Sequence, residues 1–389
     1  MEVFILHSLI KNRDYDGIVL DEDDFHPCKP FFIDHPSLKP ESIEHITIKG
    51  VLEQHKYLRT VLRYCDYMLA PGGTLDIFFY NAHFDVPGFA VRGRNEWQHE
   101  LSLVFQDRIC LLESEKADIN GHFVYKKKVS CLPDGDTIER WSFGIVSDGR
   151  RNDRILNIIH QIEAFNIPEY EVLVCGPAPA DVLPEHVFVI DDSPFYSDIR
   201  IPISRKKNAI IQAAKYNNLI LMHDRFSFTE KWYEKMKAYG NYYDCLCTRI
   251  VMEGSDDSRM NDWSVSNCFH ASLWEKLKSR KIVLYYDEWS PDIYVSGGFM
   301  QIKKNFAQEV RLNPNLCWGE KEDVDFSQRL YLAGVLVKFF KDNLLYSEAR
   351  RFSGLNAKKR SFWGLRALLG TYRRYIRENN EFEQYLNGF

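Results

Sequence analysis

WGEKEDVDF, residues 318–326, places Glu320, Glu322, Asp323 and Asp325 between Trp318 and Phe326. Carboxylates this close raise one another's pKa, because each ionised group disfavours ionisation of its neighbour. A carboxylate with a raised pKa suits base catalysis near neutral pH, such as taking a proton from an attacking hydroxyl. The same cluster also reads as a plain helix cap, since the macrodipole and the free N–H groups of a first turn stabilise negative charge. The run FSQRLYLAGVLVKFF that follows reads as a helix over 326–340. Asp325 and Arg329 are spaced to pair across its first turn.

A second candidate is LILMHDRF, residues 219–226, where four apolar residues read as a buried strand ending in His223, Asp224 and Arg225. An imidazole and a carboxylate at a strand end can hold a divalent cation that bridges a diphosphate. Without a ligand, Asp224 would cap the next segment and His223 would make an ordinary hydrogen bond. Arg205, Lys206 and Lys207 can neutralise phosphate charge, and Asn208 lies beside them. Gly297 and Gly298 let the backbone approach a sugar with no Cβ between them, or simply make a turn. Trp318 offers a flat face to a sugar ring, or fills a core.

The elements that must position these groups are legible from periodicity. FGIV, YEVLVCG, HVFVIDD and NLILMHD read as strands, and RRNDRILNIIHQIEAF and RKKNAIIQAAKYN read as helices between them. Alternation of this kind indicates a largely parallel sheet with helices on both faces. Ligands bind such sheets at the carboxyl ends of the strands. The residues to watch there are Ser147 and Asp148, Asp191 and Asp192, and His223 and Asp224.

In this order the segments IVSDG, SRKKNAIIQAA, HDR, YVSGGFMQIKKNF and WGEKEDVDFSQRL resemble the GT-A glycosyltransferases of families 2 and 7 over roughly residues 140–350. The resemblance implies an α/β, Rossmann-like GT-A catalytic domain and an inverting transfer of a sugar from a nucleotide-sugar donor. It implies Asp323 as the base, with Glu322 orienting the acceptor or substituting as base. Trp318 and Gly319 fall on the acceptor side. Ser147, Asp148, Asp191, Asp192, Arg205, Lys207, Asn208, His223, Arg225, Gly297 and Gly298 fall on the donor side. A manganese or magnesium ion would rest on Asp224, with His223 as a second ligand. The chain departs from the family pattern in having one aspartate in HDR and no histidine after Asp323. Arg225 and the lysines are the alternative source of positive charge.

Residues 1–135 read as a smaller α/β domain. IKGVLEQHKYLRTVLRYCDYMLAPGGTLDIFFYN resembles the later half of a class I S-adenosylmethionine methyltransferase: a helix, a Pro-Gly-Gly turn and a strand. No GxGxG turn precedes residue 72, so the resemblance implies a remnant without cofactor; methyl transfer is the competing enzymatic reading. LPDGDTIER reads as a linker, giving 136–355 as the catalytic domain. In the tail, 356–389, Phe362, Leu365, Leu369, Tyr372 and Ile376 form an apolar stripe among basic residues. Such a helix suits an anionic membrane surface and a lipid-linked acceptor, or packs on the domain before it. RIVMEGSDDSRMNDWSVSN reads as a mobile acceptor loop.

Bulk properties narrow the class. With 389 residues, 45% hydrophobic and 27% charged, the chain has the profile of a globular protein of more than one domain. A net charge of −5 argues against a nucleic-acid partner. Nine scattered cysteines argue against a disulfide framework. The start carries no basic leader, and no apolar run is long enough to span a bilayer. The expectation is a cytoplasmic enzyme, on the inner face of a membrane if the tail binds lipid, acting on a glycan or lipid-linked acceptor. A sugar-binding scaffold without catalysis is the remaining alternative.

Overall fold

Apolar side chains on both faces of the central strands and at three- and four-residue spacing on the helices bring the described residues between 140 and 348 together as three layers. The computed structural model describes residues 17–19, 40–49, 58–80, 94–117, 120–133, 135–179, 182–196, 200–241, 243–254, 259–260, 262–265, 284, 286, 293–335 and 337–348. The basic tail and residues 50–57 lie outside them, as do residues 255–258, 261, 266 and 267 of the expected acceptor loop.

The first region holds β1 (Gly17–Val19), β2 (Ile43–Lys49), α1 (Leu58–Met68), β3 (Leu69–Tyr80), α2 (Arg94–Phe105), β4 (Ile109–Ala117) and β5 (Asn120–Lys127). Its sheet runs β1-β2-β3-β5-β4, with the first three parallel and β5 slotted in antiparallel between β3 and β4. Pro71-Gly72-Gly73 lies inside β3, where the pairing with β2 slips register. Helix α1 also faces the second region. Arg63 donates to the Ala333 carbonyl at 2.8 Å and to Glu309 at 2.9 Å, and Tyr67 meets Phe306 edge-on.

The second region follows as β6 (Arg140–Val146), α3 (Asn152–Ala164), β7 (Glu169–Cys175), β8 (Val187–Ile190), α4 (Ile203–Ala213), β9 (Asn218–His223), β10 (Phe226–Phe228), α5 (Trp232–Tyr239), β11 (Cys245–Met252), β12 (Ser264–Val265), β13 (Ile293–Tyr294), β14 (Phe299–Lys303), α6 (Lys304–Val310), α7 (Glu322–Leu332) and β15 (Val337–Ser347). The eight-stranded sheet runs β10-β15-β11-β14-β9-β6-β7-β8. It is parallel from β9 to β8, as the alternating pattern implies. Beyond β9 it is mixed, because β14 enters antiparallel between β9 and β11.

Burial follows the two-residue period. Trp141, Phe143 and Ile145 pack on one face with Ile155, Ile158, Ile159 and Ile162 of α3 and Trp232 and Met236 of α5. Val146, Leu173 and Cys175 pack on the other with Ile210 of α4, Phe306 of α6, and Phe326 and Leu330 of α7. Each such side chain contributes about 1.5–3 kcal/mol by leaving water.

The helix expected over 326–340 is corrected. Helix α7 ends at Leu332, and residues 337–347 form β15. Gly334 takes a left-handed φ of 77°, and the Gly334 and Val335 N–H groups turn back to Tyr331 and Leu330. That glycine stop releases the β-branched and aromatic run VKFF to pair alongside β11.

Candidate functional site

Parallel strands β6 and β9 end in register, with Val146 opposite His223, so Ser147 and Asp224 emerge side by side. The His223 N–H donates to the Gly298 carbonyl at 2.9 Å, tying the glycine turn to the end of β9. The turn is then stitched to two helices. The Val295 N–H donates to Ser327 Oγ and the Gly297 N–H to Asp323 Oδ2, each at 2.9 Å, both on α7. From α4, the buried Lys207 Nζ donates to the Gly297 carbonyl at 2.7 Å and to Glu322 Oε1 at 3.1 Å. The result is a cleft of about 230 Å³ whose lining includes His223, Arg225, Gly297, Trp318, Glu322 and Asp323. Three segments far apart in sequence thus share one wall, as their order suggested.

Packing around the site by itself requires both glycines. A Cβ on Gly297 would lie 2.8 Å from both the Asp323 and Glu322 carboxylates; one on Gly298 would strike Arg225 and the Phe226 ring. Their smallness lets the carboxylates and the guanidinium close on the backbone.

The four carboxylates of the acidic cluster separate. Glu320 accepts the Cys317 N–H at 2.7 Å and faces Arg200 at the rim. Asp325 pairs with Arg329 at 2.6 Å, the expected i,i+4 contact. Glu322 is held by Lys207. Asp323 keeps its place in the cleft. Burial, and then the charge of Glu322, raise its pKa above the usual carboxylate value; Lys207 and the Gly297 and Val324 N–H groups oppose the shift. Lys321, just before this helix, holds a left-handed φ of 61°, a conformation costly for a residue with a side chain. Trp318 is 42% exposed, and its ring lies 5.3 Å from that of His223.

The donor-side expectations divide. Ser147 Oγ donates to the Pro177 carbonyl at 2.6 Å and accepts from the Gly149 N–H, fixing the turn after β6. Asp148 is half exposed and accepts the Arg150 N–H. Asp191 accepts from the N–H and hydroxyl of Ser193, which lower its pKa. Asp192 is buried against Lys206, whose Nζ also donates to the Ser147 carbonyl. Gly176, with φ 111°, lets these groups meet, since a Cβ there would press on both. Arg205 and Asn208 do not line the cleft. Arg205 donates to the carbonyls of Pro314 and Phe195, and Asn208 clamps both the N–H and the carbonyl of Leu312. Their chemistry is used on the backbone of the loop before α7.

The cation expected at Asp224 and His223 is a poor match to these residues. His223 packs against Trp318 in the cleft, whereas Asp224 takes the Arg151 guanidinium at 3.3 Å. Among the described residues no group of three or more histidine, cysteine or acidic side chains could hold a metal. Asp224 already faces the Arg151 guanidinium, with Asp148 as the other carboxylate whose charge reaches it. Its Oδ2 is buried with no hydrogen bond, and burial raises its pKa against the pull of Arg151. Sequence reasoning missed Arg151; its signal was a position just past the SDG turn, at the start of α3.

No protein-family model matches the chain, and no curated protein matches it. Among solved structures, it is similar to S. aureus TarS (residues 1–349) at 12% identity and a TM-score of 0.36, covering 54% of this chain and 60% of that one. It is similar to the mannosyltransferase PcManGT of Pyrobaculum calidifontis in complex with GDP-Man and Mn2+ at 10% identity and a TM-score of 0.38, covering 56% and 59%. A putative type 11 methyltransferase from Sulfolobus solfataricus matches at 13% identity and a TM-score of 0.21, covering 28% and 60%. The chain thus spans three fifths or less of each neighbour's length, and at these scores the likenesses carry no functional argument.

Proposed function

We propose that the chain is an inverting glycosyltransferase of GT-A type, moving a hexose from a nucleotide diphosphate sugar to a hydroxyl of a glycan or lipid-linked acceptor in surface polysaccharide or glycoconjugate synthesis. The observation that carries this reading is the convergence of His223 and Arg225, the Gly-Gly turn and the segment from Trp318 to Asp323 on one cleft at the carboxyl end of the parallel strands, where open α/β sheets bind ligands.

The residues divide the work as follows. The acceptor hydroxyl oxygen attacks the anomeric carbon as the bond to the diphosphate oxygen breaks, and that oxygen leaves with the electron pair. Asp323 takes the hydroxyl proton; its raised pKa makes it a stronger base than an ordinary carboxylate. The Gly297 N–H fixes the direction of the carboxylate. Glu322, anchored by Lys207, keeps negative charge beside Asp323 and sustains that basicity. Trp318 presents its exposed ring at the cleft mouth to a sugar face.

Calorimetric titration with a panel of uridine and guanosine diphosphate sugars tests the reading. Saturable binding of one donor is expected. Failure of every nucleotide and nucleotide sugar to bind contradicts it and returns the acidic cluster to a capping role.

A further inference from the structure

A diphosphate brings two or more negative charges to the strand ends, and something there must meet them. The lysines are not available for this. Lys206 is buried between Asp192 and the Ser147 carbonyl, and Lys207 between Glu322 and the Gly297 carbonyl. Nor do the described residues gather a metal-binding group. Asp224 lies at the end of β9 with one oxygen buried and unbonded, and the other facing Arg151. The Arg151 side chain is 41% exposed, so its guanidinium meets Asp224 at the end of β9 and still reaches solvent. Arginine suits this place: it stays charged, and its fork of donors matches phosphate oxygens.

We propose, resting on the glycosyltransferase reading above, that Arg151 receives the diphosphate of the donor and that Asp224 orients it, so that the nucleotide binds without a divalent cation. Asp224 then acts as a positioning residue for Arg151 rather than as a metal ligand. No bond is made or broken at this point; the guanidinium stabilises the leaving diphosphate by charge and hydrogen bonds alone.

The test is calorimetric titration of the full chain with UDP and with GDP, in EDTA and in Mn2+. It is run on wild type, Arg151→Ala, Arg151→Lys, Asp224→Asn and the neighbouring control Arg150→Ala. Far-ultraviolet circular dichroism checks the fold of each. Wild type is expected to bind one nucleotide in EDTA with an affinity that Mn2+ changes less than about threefold. Arg151→Ala should weaken binding by about tenfold to a hundredfold, the range for losing hydrogen bonds to a charged group. Arg151→Lys should recover part of the loss, Asp224→Asn should weaken binding less than Arg151→Ala, and Arg150→Ala should bind as wild type. Binding that requires Mn2+ and ignores Arg151→Ala overturns the Arg151 assignment while leaving glycosyl transfer in place. Absence of binding to either nucleotide or any nucleotide sugar, with the fold intact, overturns both.

Discussion

At the lower end of the eight-stranded sheet, where β9 begins and β14 ends, Lys303 is buried and donates to Asp136 at 3.1 Å, to Asn218 Oδ1 at 2.8 Å and to Asn241 Oδ1 at 2.7 Å. Asn218 accepts a further bond from the Tyr243 hydroxyl, and its amide donates to the carbonyls of Thr137 and Arg140. The three ammonium donors meet three acceptor groups, with both oxygens of Asp136 within reach, and the ammonium is fully paired. At the upper end, Asp224 keeps an unbonded buried oxygen, Asp323 lines an open cleft and Trp318 is half exposed. Both ends bury charge, and both shift a pKa against the charged form: Lys303 down to about 8, Asp323 up. Size does not distinguish them either, since the cavity beside Asp136, Arg140 and Lys215 is about 520 Å³, larger than the cleft. What marks the upper end is that a carboxylate, Asp224, is left incompletely satisfied, whereas the unbonded buried oxygen at the lower end is the neutral amide of Asn305. Burial with full pairing is a structural device, whereas burial facing an opening is an invitation to a ligand.

The contrast is sharpest in a pair of substitutions. Asp323→Asn should lower the transfer rate by about a hundredfold to ten-thousandfold, the contribution of a positioned base, with the fold retained. Because the folded pKa of Asp323 is raised, its stability contribution is present below the unfolded value and lost as pH rises through the folded one. Wild type should therefore lose stability relative to Asp323→Asn on going from strongly acidic to neutral pH, as thermal melts at several pH values would show. A variant that melts well below wild type at pH 7 would make Asp323 a cap.

Lys303→Met should do the reverse. Removing one partner of a buried pair costs about 3–5 kcal/mol, read as a lower urea midpoint, while kcat per folded molecule stays near wild type. Loss of activity without loss of stability would put the lower end into the chemistry. The pH dependence differs in sign from that of Asp323. A lysine depressed to about 8 contributes stability above its unfolded value near 10.5, which is lost as pH falls through 8. Wild-type stability should thus gain between pH 8 and 10.5, and Lys303→Met should gain less, with Lys338, also lowered to about 8, keeping its share.

Smaller effects follow at the rim. Trp318→Ala should raise the acceptor KM by about twofold to tenfold, the worth of a ring contact, with only a small change in melting temperature because nearly half of the side chain is exposed. Asn208→Ala should cost about 1 kcal/mol of stability through its lost clamp on Leu312. Steady-state rates for that variant should match wild type, which would separate the loop before α7 from the donor site.

Much of the framework was legible from periodicity, because strands β6, β7 and β9 are buried on both faces and read as apolar runs ending in polar residues. The meeting of HDR, Gly-Gly and the acidic helix start was legible through their order alone. The helix that becomes β15 was not, since a single glycine at 334 interrupts a spacing that fits either element. The separate fates of the four acidic residues were not legible either. Lys207 and Arg200 lie more than a hundred residues from the carboxylates they meet, and no local pattern records such pairs. The same limit hid the hydrogen bonds that tie Arg205 to Pro314 and Asn208 to Leu312.

The most direct test of glycosyl transfer at this cleft is release of nucleoside diphosphate from a panel of nucleotide sugars by wild type and Asp323→Asn, each with a mixture of glycan acceptors. Wild type is expected to consume one donor, with a product of inverted anomeric configuration, and Asp323→Asn to bind that donor still but turn it over at least about a hundredfold more slowly. Equal release by the two proteins, or a product retaining the donor configuration, would contradict inverting transfer with Asp323 as the base.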